Sequence, residues 1–185
     1  MNEKISKEER FWRSDSALHE RFEFRTINKN EADEVSDIEQ ICFPPNEACT
    51  PKRMHERVEA AGDIFLVAYD KQSKRIAGFV NGIATDCDDL KDEFFTDASL
   101  HKKDGKNIMI CGVSVLPEYR GQGLAREMIS VYCKRECENN RERLVLTCEP
   151  DKIKMYEKFG FADMGESDSA WGGVKWHQMD IQLNP

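Results

Sequence analysis

Apolar residues recur along the chain with two different periods, and each period predicts a different kind of element. Short runs that alternate with polar residues, or are continuously apolar, predict strands, whereas apolar residues three and four positions apart predict helices. The predicted strands are residues 21–27, 63–70, 75–85, 107–115, 143–148 and 174–183. The predicted helices are residues 30–43, 51–61, 124–138 and 150–159.

Proline residues set the limits of two of these helices. Pro44 and Pro45 cannot continue the helix before them, because proline lacks the backbone N–H that a helix needs. Thr50 is a predicted N-cap with Pro51 at the first helical position, a combination typical of a helix start. The order of strands and helices predicts a mixed α/β fold with a buried central sheet and helices packed on it.

The composition is typical of a soluble globular protein. The 185 residues are 39% hydrophobic and 34% charged, which favours one domain with a core of its own. A net charge of −8 argues against general binding to nucleic acids, which needs a basic surface. No apolar run reaches the roughly 20 residues that span a bilayer, and residues 1–15 contain no hydrophobic signal core. We therefore expect a cytoplasmic protein without nucleic-acid or membrane partners.

The number of cysteines is odd, so the chain does not predict a complete disulfide framework. The seven cysteines are Cys42, Cys49, Cys87, Cys111, Cys133, Cys137 and Cys148. No Cys-x-x-Cys motif and no histidine pair has the spacing of a zinc site, so no metal is expected. Free thiols in a reducing compartment are the simplest interpretation.

The segment Ser114–Ile129 joins a buried strand to an amphipathic helix through two glycines. Gly121 and Gly123 allow backbone angles and close ligand approaches that other residues resist. The following helix begins with unpaired N–H groups, which together bind anions such as a pyrophosphate, and Arg120 can add a charge at the rim. The Walker ending Gly-Lys-Ser/Thr is missing, and Arg126 stands where the dinucleotide fingerprint has its third glycine.

Two motifs give the chain a resemblance to the GCN5-related N-acetyltransferase (GNAT) superfamily. "VSVLPEYRGQGLA" resembles its acetyl-CoA signature Arg/Gln-x-x-Gly-x-Gly/Ala, with Arg120, Gly123 and Ala125 in the three defined places. "MYEKFGF" (155–161) resembles its Tyr-Glu-Lys-x-Gly-Phe helix. More narrowly, "LTCEPDKIKMYEKFGF" is similar to arylalkylamine (serotonin) N-acetyltransferases, and "FPPNE" is similar to a loop of their fungal relatives that acetylate polyamines.

The resemblance implies the GNAT fold, in which a mostly antiparallel sheet contains a splayed parallel pair of strands that admits acetyl-CoA. It assigns residues 21–185 to one acetyltransferase domain and leaves residues 1–20 as an N-terminal tail or a peripheral helix. By resemblance, backbone groups near the end of the preceding strand hold the pantetheine arm, and the main chain of the glycine turn holds the pyrophosphate. The implied cofactor-binding residues are Val113, Ser114, Val115, Arg120, Gly121, Gln122, Gly123, Leu124 and Ala125.

The resemblance also gives Tyr156 a catalytic role. In such enzymes an amine attacks the thioester carbonyl of acetyl-CoA, and the departing thiolate must be protonated. A phenol with an ordinary pKa of about 10 stays protonated at pH 7 and is a suitable proton donor. We predict that Tyr156 is the general acid. The alternative is that Tyr156 only packs in an aromatic cluster with Phe159 and Phe161.

The general base is less well defined by the resemblance. Vertebrate arylalkylamine N-acetyltransferases carry two histidines on the strand before the glycine turn, where this chain has Met109 and Cys111. Methionine accepts no proton, and a buried thiol is a poor base. Glu47 is the predicted base, because insect relatives supply a glutamate from the same loop; the alternative is a solvated loop residue. Glu149 is the second choice, and an equal alternative is that the ammonium loses its proton to solvent channels and needs no single base.

Two groups of residues make different predictions about the acceptor amine. The first is an acidic run between two strands, which either attracts a polycation such as spermine or simply keeps a loop solvated: Asp86, Asp88, Asp89, Asp92, Glu93 and Asp97. The second is a group of aromatic residues able to line a slot for an aromatic amine: Phe43, Phe94, Phe95 and Trp171. His177 either borders the acceptor site or is structural.

These observations predict an acetyl-CoA-dependent N-acetyltransferase. The predicted acceptor is the primary amine of a small molecule, either an arylalkylamine or a polyamine, which attacks acetyl-CoA directly in a ternary complex. One alternative is acetylation of protein N-termini or lysines. A second alternative is a CoA-binding regulatory protein without turnover. The sequence leaves open whether the protein is a monomer or a dimer.

Overall fold

A computed structural model describes residues 14–183, which form a seven-stranded sheet with helices packed on it. The strands are β1 (Phe22–Thr26), β2 (Leu66–Asp70), β3 (Arg75–Thr85), β4 (Asn107–Val115), β5 (Arg143–Cys148), β6 (Ala162–Glu166) and β7 (His177–Gln182). The helices are α1 (Ser16–Arg21), α2 (Ala32–Cys42), α3 (Pro51–Ala61), α4 (Glu93–Thr96), α5 (Leu124–Glu138) and α6 (Ile153–Lys158).

The strand order is β1-β2-β3-β4-β5-β7-β6, and every neighbouring pair is antiparallel except β4 and β5. The parallel pair has ladder partners only between Asn107–Met109 and Arg143–Val145. Beyond these residues the described parts of the two strands separate. The predicted mixed α/β fold and its splayed parallel pair are therefore confirmed.

The core is centred on β3, in which Arg75 is the one exposed residue. Helices α2, α3 and α5 all pack on this strand. Apolar side chains spaced three and four apart, such as Met54 and Val58 on α3 and Met128 and Tyr132 on α5, are fully buried or nearly so. Each such side chain removed from water contributes about 1.5–3 kcal/mol to the stability of the fold.

Helix α3 begins at the residue that the sequence predicted. The Thr50 hydroxyl accepts a hydrogen bond from the Arg53 backbone N–H at 3.4 Å, and Pro51 is the first helical residue, as predicted.

Strand β6 was not predicted, because most of its residues are exposed and it shows no alternation of apolar and polar side chains. Helix α4 lies inside the acidic segment that the sequence indicated only as a loop.

A β-bulge interrupts the pairing of β3 with β4 near the middle of the sheet. Asn81 lies opposite Gly112 and Gly82 lies opposite Ile110, so Cys111 has no partner of its own. The backbones approach so closely here that a Cβ atom on Gly82 would collide with the Met109 carbonyl oxygen. Bulges bend a strand and redirect its side chains, and this one lies where β4 begins to leave β5.

Helix α1 leads directly into β1 and packs on α5 through the buried carboxylate of Glu127. His19 Nε2 lies 2.8 Å from Glu127 Oε1, and the Asp15 backbone N–H donates to Glu127 Oε2 at 3.2 Å. Part of the predicted N-terminal tail is therefore a helix on the folded domain, whereas residues 1–13 lie outside the described residues. No helix within residues 14–183 is both long and apolar enough to cross a membrane.

Candidate active site

The strands β4 and β5 open into a narrow cavity at the point where their pairing ends. Its volume is about 60 Å³, which is room for about four water molecules. The strands contribute the segments 110–113 and 146–147 to its lining. Tyr156 on α6, Glu39 on α2 and Glu47 in the loop between α2 and α3 are the titratable oxygen-bearing side chains of the lining.

The glycine turn lies between the end of β4 and the start of α5. Gly121 has φ = 73° and Gly123 has φ = 84°, a left-handed conformation that residues with a Cβ atom rarely adopt. Gly123 is also the N-cap of α5 and provides no side-chain hydrogen bond to the first turn. Among the described residues, no side-chain cap from Gly123 occupies the first N–H groups of the helix, which is the geometry in which such groups can bind an anion.

The side chains of this region mostly bond back to the protein. Arg120 Nε donates to the Val115 carbonyl at 2.9 Å, and Gln122 Nε2 donates to the Glu118 carbonyl at 3.1 Å. The Val115 carbonyl also accepts from the Cys42 thiol at 3.4 Å. This carbonyl already has two partners, so the carbonyl and N–H groups nearer Val113 are better placed to hold an extended ligand.

The remaining predicted cofactor residues divide into buried and accessible positions. The side chains of Leu124 and Ser114 are buried, so neither side chain is presented to a ligand at the surface of the turn. Val113 lines the cavity, and Ala125 is half-buried in the first turn of α5. A ligand at this turn would consequently meet main chain rather than side chains.

Tyr156 both packs in an aromatic cluster and reaches the cavity. Its ring makes edge-to-face contacts with Phe159 and Phe161, with centroid distances of 5.8 and 5.7 Å. The side chain is 8% exposed, and burial, with a smaller contribution from Cys148, raises its pKa well above the ordinary value. The phenol therefore stays protonated at every physiological pH and has a proton to donate.

Glu47 is partly exposed and is held near Trp171 of the loop between β6 and β7. Trp171 Nε1 donates to the Glu47 backbone carbonyl at 3.0 Å. Partial burial and the charge of nearby Glu149 raise the pKa of the Glu47 carboxyl. Glu149 itself pairs with Lys152 at 3.5 Å and does not line the cavity.

Glu39 is a titratable residue of the cavity that the sequence analysis missed. Its side chain is 3% exposed, and burial raises its pKa to about 7. Val35, Ile38 and Cys42 occupy neighbouring positions on the same face of α2. A glutamate at this position of an apolar face is the signal that could have identified it.

A model of the acetyltransferase (GNAT) family matches residues 32–161, from α2 to the end of the α6 region. The chain belongs to the GNAT family. The match contains both the glycine turn and the helix of Tyr156. No curated protein sequence matches the chain significantly.

Solved structures agree with this assignment at the level of the fold. The loading GNATL domain of CurA from Lyngbya majuscula has a TM-score of 0.73 and 13% identity, covering 88% of this chain and 98% of that one. The putative acetyltransferase yncA from Salmonella typhimurium, solved with acetyl-CoA, has a TM-score of 0.63 and 15% identity, with coverages of 89% and 95%. The spermidine/spermine N-acetyltransferase SpeG from Vibrio cholerae has a TM-score of 0.61 and 15% identity, with coverages of 90% and 95%.

The β4 positions at which some GNAT enzymes carry histidines offer no base here. Met109 is completely buried. Burial raises the pKa of the Cys111 thiol to about 11, so it is protonated at neutral pH. The Cys111 thiol donates instead to the Phe94 carbonyl at 3.4 Å.

Most of the acidic run is bound to the protein itself. Asp86 pairs with Lys102, Asp92 accepts from the Ser169 hydroxyl at 2.5 Å, and Asp97 accepts from Ser99. These contacts fix the loop before β4 and neutralise part of its charge. His177 is likewise structural, because its Nδ1 lies 3.0 Å from Asp163 on the neighbouring strand and it does not line the cavity.

Four aromatic side chains line the cavity and are called its aromatic wall here: Phe43, Phe95, Trp171 and Trp176. Phe95 stacks on Trp171 with a centroid distance of 5.0 Å, and Phe43 and Trp176 complete the wall. Trp176 was not among the predicted residues. Phe94, which was, is buried in the core and does not line the cavity. All seven cysteines are free, and residues 14–183 contain no group of three metal-binding side chains.

Proposed function

We propose that this GNAT protein transfers the acetyl group of acetyl-CoA to the primary amine of a small arylalkylamine. The observation that carries the proposal is one continuous site. The glycine turn, the separated edges of β4 and β5, and a cavity that contains Tyr156 and an aromatic wall follow one another along the sheet. The narrower likeness to arylalkylamine N-acetyltransferases supports the same acceptor class.

The residues at the turn fit the cosubstrate. The first N–H groups of α5, from Gly123 to Ala125, would bind the pyrophosphate, because the helix dipole and unpaired amides favour an anion. The edge of β4 beyond Met109, which has no ladder partner on β5 in the described chain, would hold the pantetheine arm like an added strand. Solved relatives carry acetyl-CoA or CoA, which supports this choice.

The reaction requires two proton transfers at opposite ends of the reacting atoms. The acceptor arrives as an ammonium ion, loses one proton to a base, and its nitrogen forms a bond to the thioester carbonyl carbon. When the C–S bond breaks, Tyr156 gives its proton to the CoA thiolate and regains one from the acylated nitrogen. The sum is an amide, CoA thiol and one proton, which leaves through the base to solvent. Two carboxylates line the cavity as bases, Glu39 and the sequence-predicted Glu47.

The aromatic wall favours an arylalkylamine over a polyamine. Phe43, Phe95, Trp171 and Trp176 present ring surface to the cavity, whereas the acidic run is largely engaged in contacts within the protein. Spermine and spermidine remain the second candidate, because the "FPPNE" loop resembles enzymes that acetylate polyamines. Acetylation of protein amines and CoA binding without turnover are less well supported, because the cavity is narrow and Tyr156 reaches it. Seven free cysteines fit a reducing compartment such as the cytoplasm.

The test is release of CoA thiol from acetyl-CoA in the presence of a panel of amines. Tryptamine and phenylethylamine represent the proposed class, spermidine and spermine the second, and a lysine peptide the protein acceptors. A reaction without amine corrects for the protein's own cysteines, and a reaction without enzyme corrects for spontaneous hydrolysis of acetyl-CoA. We expect turnover with the aromatic amines; turnover confined to the polyamines or to the peptide would reassign the acceptor.

A further inference from the structure

Glu39 places a carboxyl group in a buried position where the fold uses only one of its two oxygens. Its Oε1 accepts a hydrogen bond from the Cys49 backbone N–H at 3.0 Å, whereas Oε2 is buried and has no hydrogen-bond partner among the described residues. Burying a carboxylate without full pairing is costly, because the charge loses its hydration. The unpartnered oxygen belongs to a residue that lines the cavity, so a bound molecule can supply the missing partner.

The strand beneath the carboxylate leaves room for it. A Cβ atom on Gly112 would lie 3.6 Å from Glu39 Oε2 and 3.3 Å from Asn81 Nδ2. Gly112 immediately follows the bulged Cys111, at the point where β4 turns away from β5. Glu39 Oε2 therefore lies against the backbone at which the thioester of an extended acetyl-CoA arm would arrive.

Arg57 moderates the charge of Glu39 without neutralising it. Its guanidinium donates to Asn81 Oδ1 at 3.1 Å and to the Phe95 carbonyl at 2.8 Å, and it forms no ion pair with Glu39 in the described chain. Burial raises the pKa of Glu39 to about 7, while the Cys49 N–H and the Arg57 charge limit the rise. The titratable groups that face Glu39 or its cavity are Arg57, Cys42, Cys49, Cys111, Glu47 and Tyr156.

We propose that Glu39 is the general base that takes the proton from the acceptor ammonium. This role rests on the proposed acetyl transfer. Glu39 Oε2 accepts the proton directly or through one water molecule, and the freed nitrogen lone pair attacks the thioester carbon. The proton then leaves Glu39 for solvent, so the carboxylate is ready for the next turnover. An oxygen without a partner in the resting protein is suited to this, because no internal hydrogen bond has to break first.

Glu47 has a different part in this arrangement. Its side chain is half-exposed at the mouth of the cavity, next to Trp171. A carboxylate at the mouth attracts the ammonium and passes released protons to solvent, while the buried carboxylate takes the proton at the reacting atom. The two glutamates therefore differ in their expected effects on the pH profile.

The test compares four variants across pH 5.5–9, using kcat/KM with the best amine of the panel; the fourth, Glu39→Asp, keeps a carboxylate. Glu39→Gln keeps the shape of the side chain and the acceptor for the Cys49 N–H, and Glu47→Gln is the competing change. Asp37→Asn is the matched control, since Asp37 is an exposed residue of the same helix α2. Circular dichroism and acetyl-CoA affinity establish that each variant is folded.

We expect Glu39→Gln to lower kcat/KM by about 10²- to 10⁴-fold at pH 8 with unchanged acetyl-CoA affinity. The acidic limb near pH 7 of the wild-type profile should disappear in this variant, and it should persist in Glu47→Gln and Asp37→Asn. Glu39→Asp, which keeps a carboxylate, should recover part of the activity together with the acidic limb. This recovery separates a proton-transfer role from a purely structural one.

Two results would overturn the assignment, and they differ in what else they overturn. If Glu39→Gln keeps the kcat/KM of the wild type and the acidic limb of its pH profile, Glu39 alone is removed from the mechanism. A limb lost in Glu47→Gln instead would give the base role to Glu47. Acetyl-CoA binding by the wild type without turnover on any amine would overturn the proposed function, and the role of Glu39 with it.

Discussion

Burial raises the pKa values of both Tyr156 and Glu39, and the consequence differs for a phenol and a carboxyl. Burial raises the pKa of the phenol, which stays protonated and donates. Burial also raises the pKa of the carboxyl to about 7, where it can both accept and release a proton near neutral pH. One physical cause, desolvation of the charged form, thus makes the Glu39 carboxylate a stronger base and keeps the Tyr156 proton in place until a strong acceptor such as a thiolate forms.

Replacing Tyr156 with phenylalanine tests the acid. Tyr156→Phe keeps the edge-to-face contacts with Phe159 and Phe161, so the fold and acetyl-CoA affinity should be unchanged. We expect kcat to fall by about 10²-fold, because the thiolate would leave without a positioned proton. Steady-state kinetics with calorimetric CoA binding measures both quantities. An unchanged kcat would reduce Tyr156 to a packing residue.

Glu39 also makes a prediction about stability that does not depend on activity. Its pKa is about 7 in the folded protein and about 4.3 in an unfolded chain, so the folded state binds the extra proton between these values. Stability therefore falls as the pH rises from about 4.5 to 7, and the full penalty remains above pH 7. Glu39→Gln removes this penalty and should be more stable than the wild type by about 3 kcal/mol at pH 8.

The same variant should show almost no gain at pH 4.5, where folded wild-type Glu39 is already protonated. Denaturant unfolding at both pH values measures the difference. A gain of the same size at both pH values would mean that the substitution acts through packing and that Glu39 does not titrate near neutral pH.

At the scale of elements, the cofactor site depends on how α5 begins. Gly123 has φ = 84° and caps the helix, and the nearest atom that a Cβ there would meet in residues 14–183, apart from its chain neighbours, is Leu18 Cδ1 at 4.0 Å. A side chain at this position therefore has room in the protein itself but would occupy the space of an anion at the helix N-terminus. Substitution of a second left-handed glycine, away from the turn, adds similar backbone strain and therefore serves as a control for the loss of CoA binding.

Gly123→Val should abolish measurable CoA binding. Gly165→Val is the matched control, because Gly165 has φ = 98° and nothing within 4 Å of its Cβ position, but lies on β6 away from the turn. Both variants should lose a similar 1–2 kcal/mol of stability from the left-handed backbone. Calorimetry should then find CoA affinity lost only in Gly123→Val. Normal affinity in that variant would reduce the glycine turn to a simple connection.

The sequence predicted those elements whose burial is regular. Strands β3, β4 and β5 are apolar through most of their length, and α5 begins and ends where its pattern does. Strand β6 escaped prediction because its place in the sheet depends on pairing with β7, and its own side chains are mostly exposed. Hydrogen-bond pairing with a distant strand does not by itself produce an alternating pattern of apolar residues in the strand's sequence.

In the candidate site, the sequence predicted the backbone conformation of the glycine turn better than it predicted the side chains that line the cavity. Gly121 and Gly123 indicate a left-handed turn in the sequence itself, because few other residues tolerate that backbone conformation. Glu39 gave no comparable signal. Its α2 position is part of an apolar face, and only the fold brings it together with Gly112 and Arg57.

In the molecule as a whole, two loops meet beside the cavity between β4 and β5. Trp171 donates to the Glu47 carbonyl at 3.0 Å, and Asn46 Nδ2 donates to the Gly172 carbonyl at 2.9 Å. These bonds join the loop between β6 and β7 to the loop between α2 and α3. The proposed acceptor site therefore combines segments that are far apart in the sequence.

Removing the Trp171 ring tests whether this side chain selects aromatic amines. Trp171→Ala loses the stacking on Phe95, and such aromatic contacts are worth about 0.5–1.5 kcal/mol. We expect KM for phenylethylamine to rise by up to about tenfold, while KM for hexylamine, an aliphatic control, changes much less. Equal changes for both amines would mean that the ring lines the cavity without recognising an aromatic acceptor.

The proposed function is tested most directly by transfer of a labelled acetyl group from acetyl-CoA to phenylethylamine by the wild-type protein. Mass spectrometry of the product, with a boiled-enzyme control, detects the new amide bond. We expect N-acetylphenylethylamine and one equivalent of CoA thiol, at a rate that rises with pH through about 7. CoA binding with no labelled amide from any amine of the panel would contradict the proposed function.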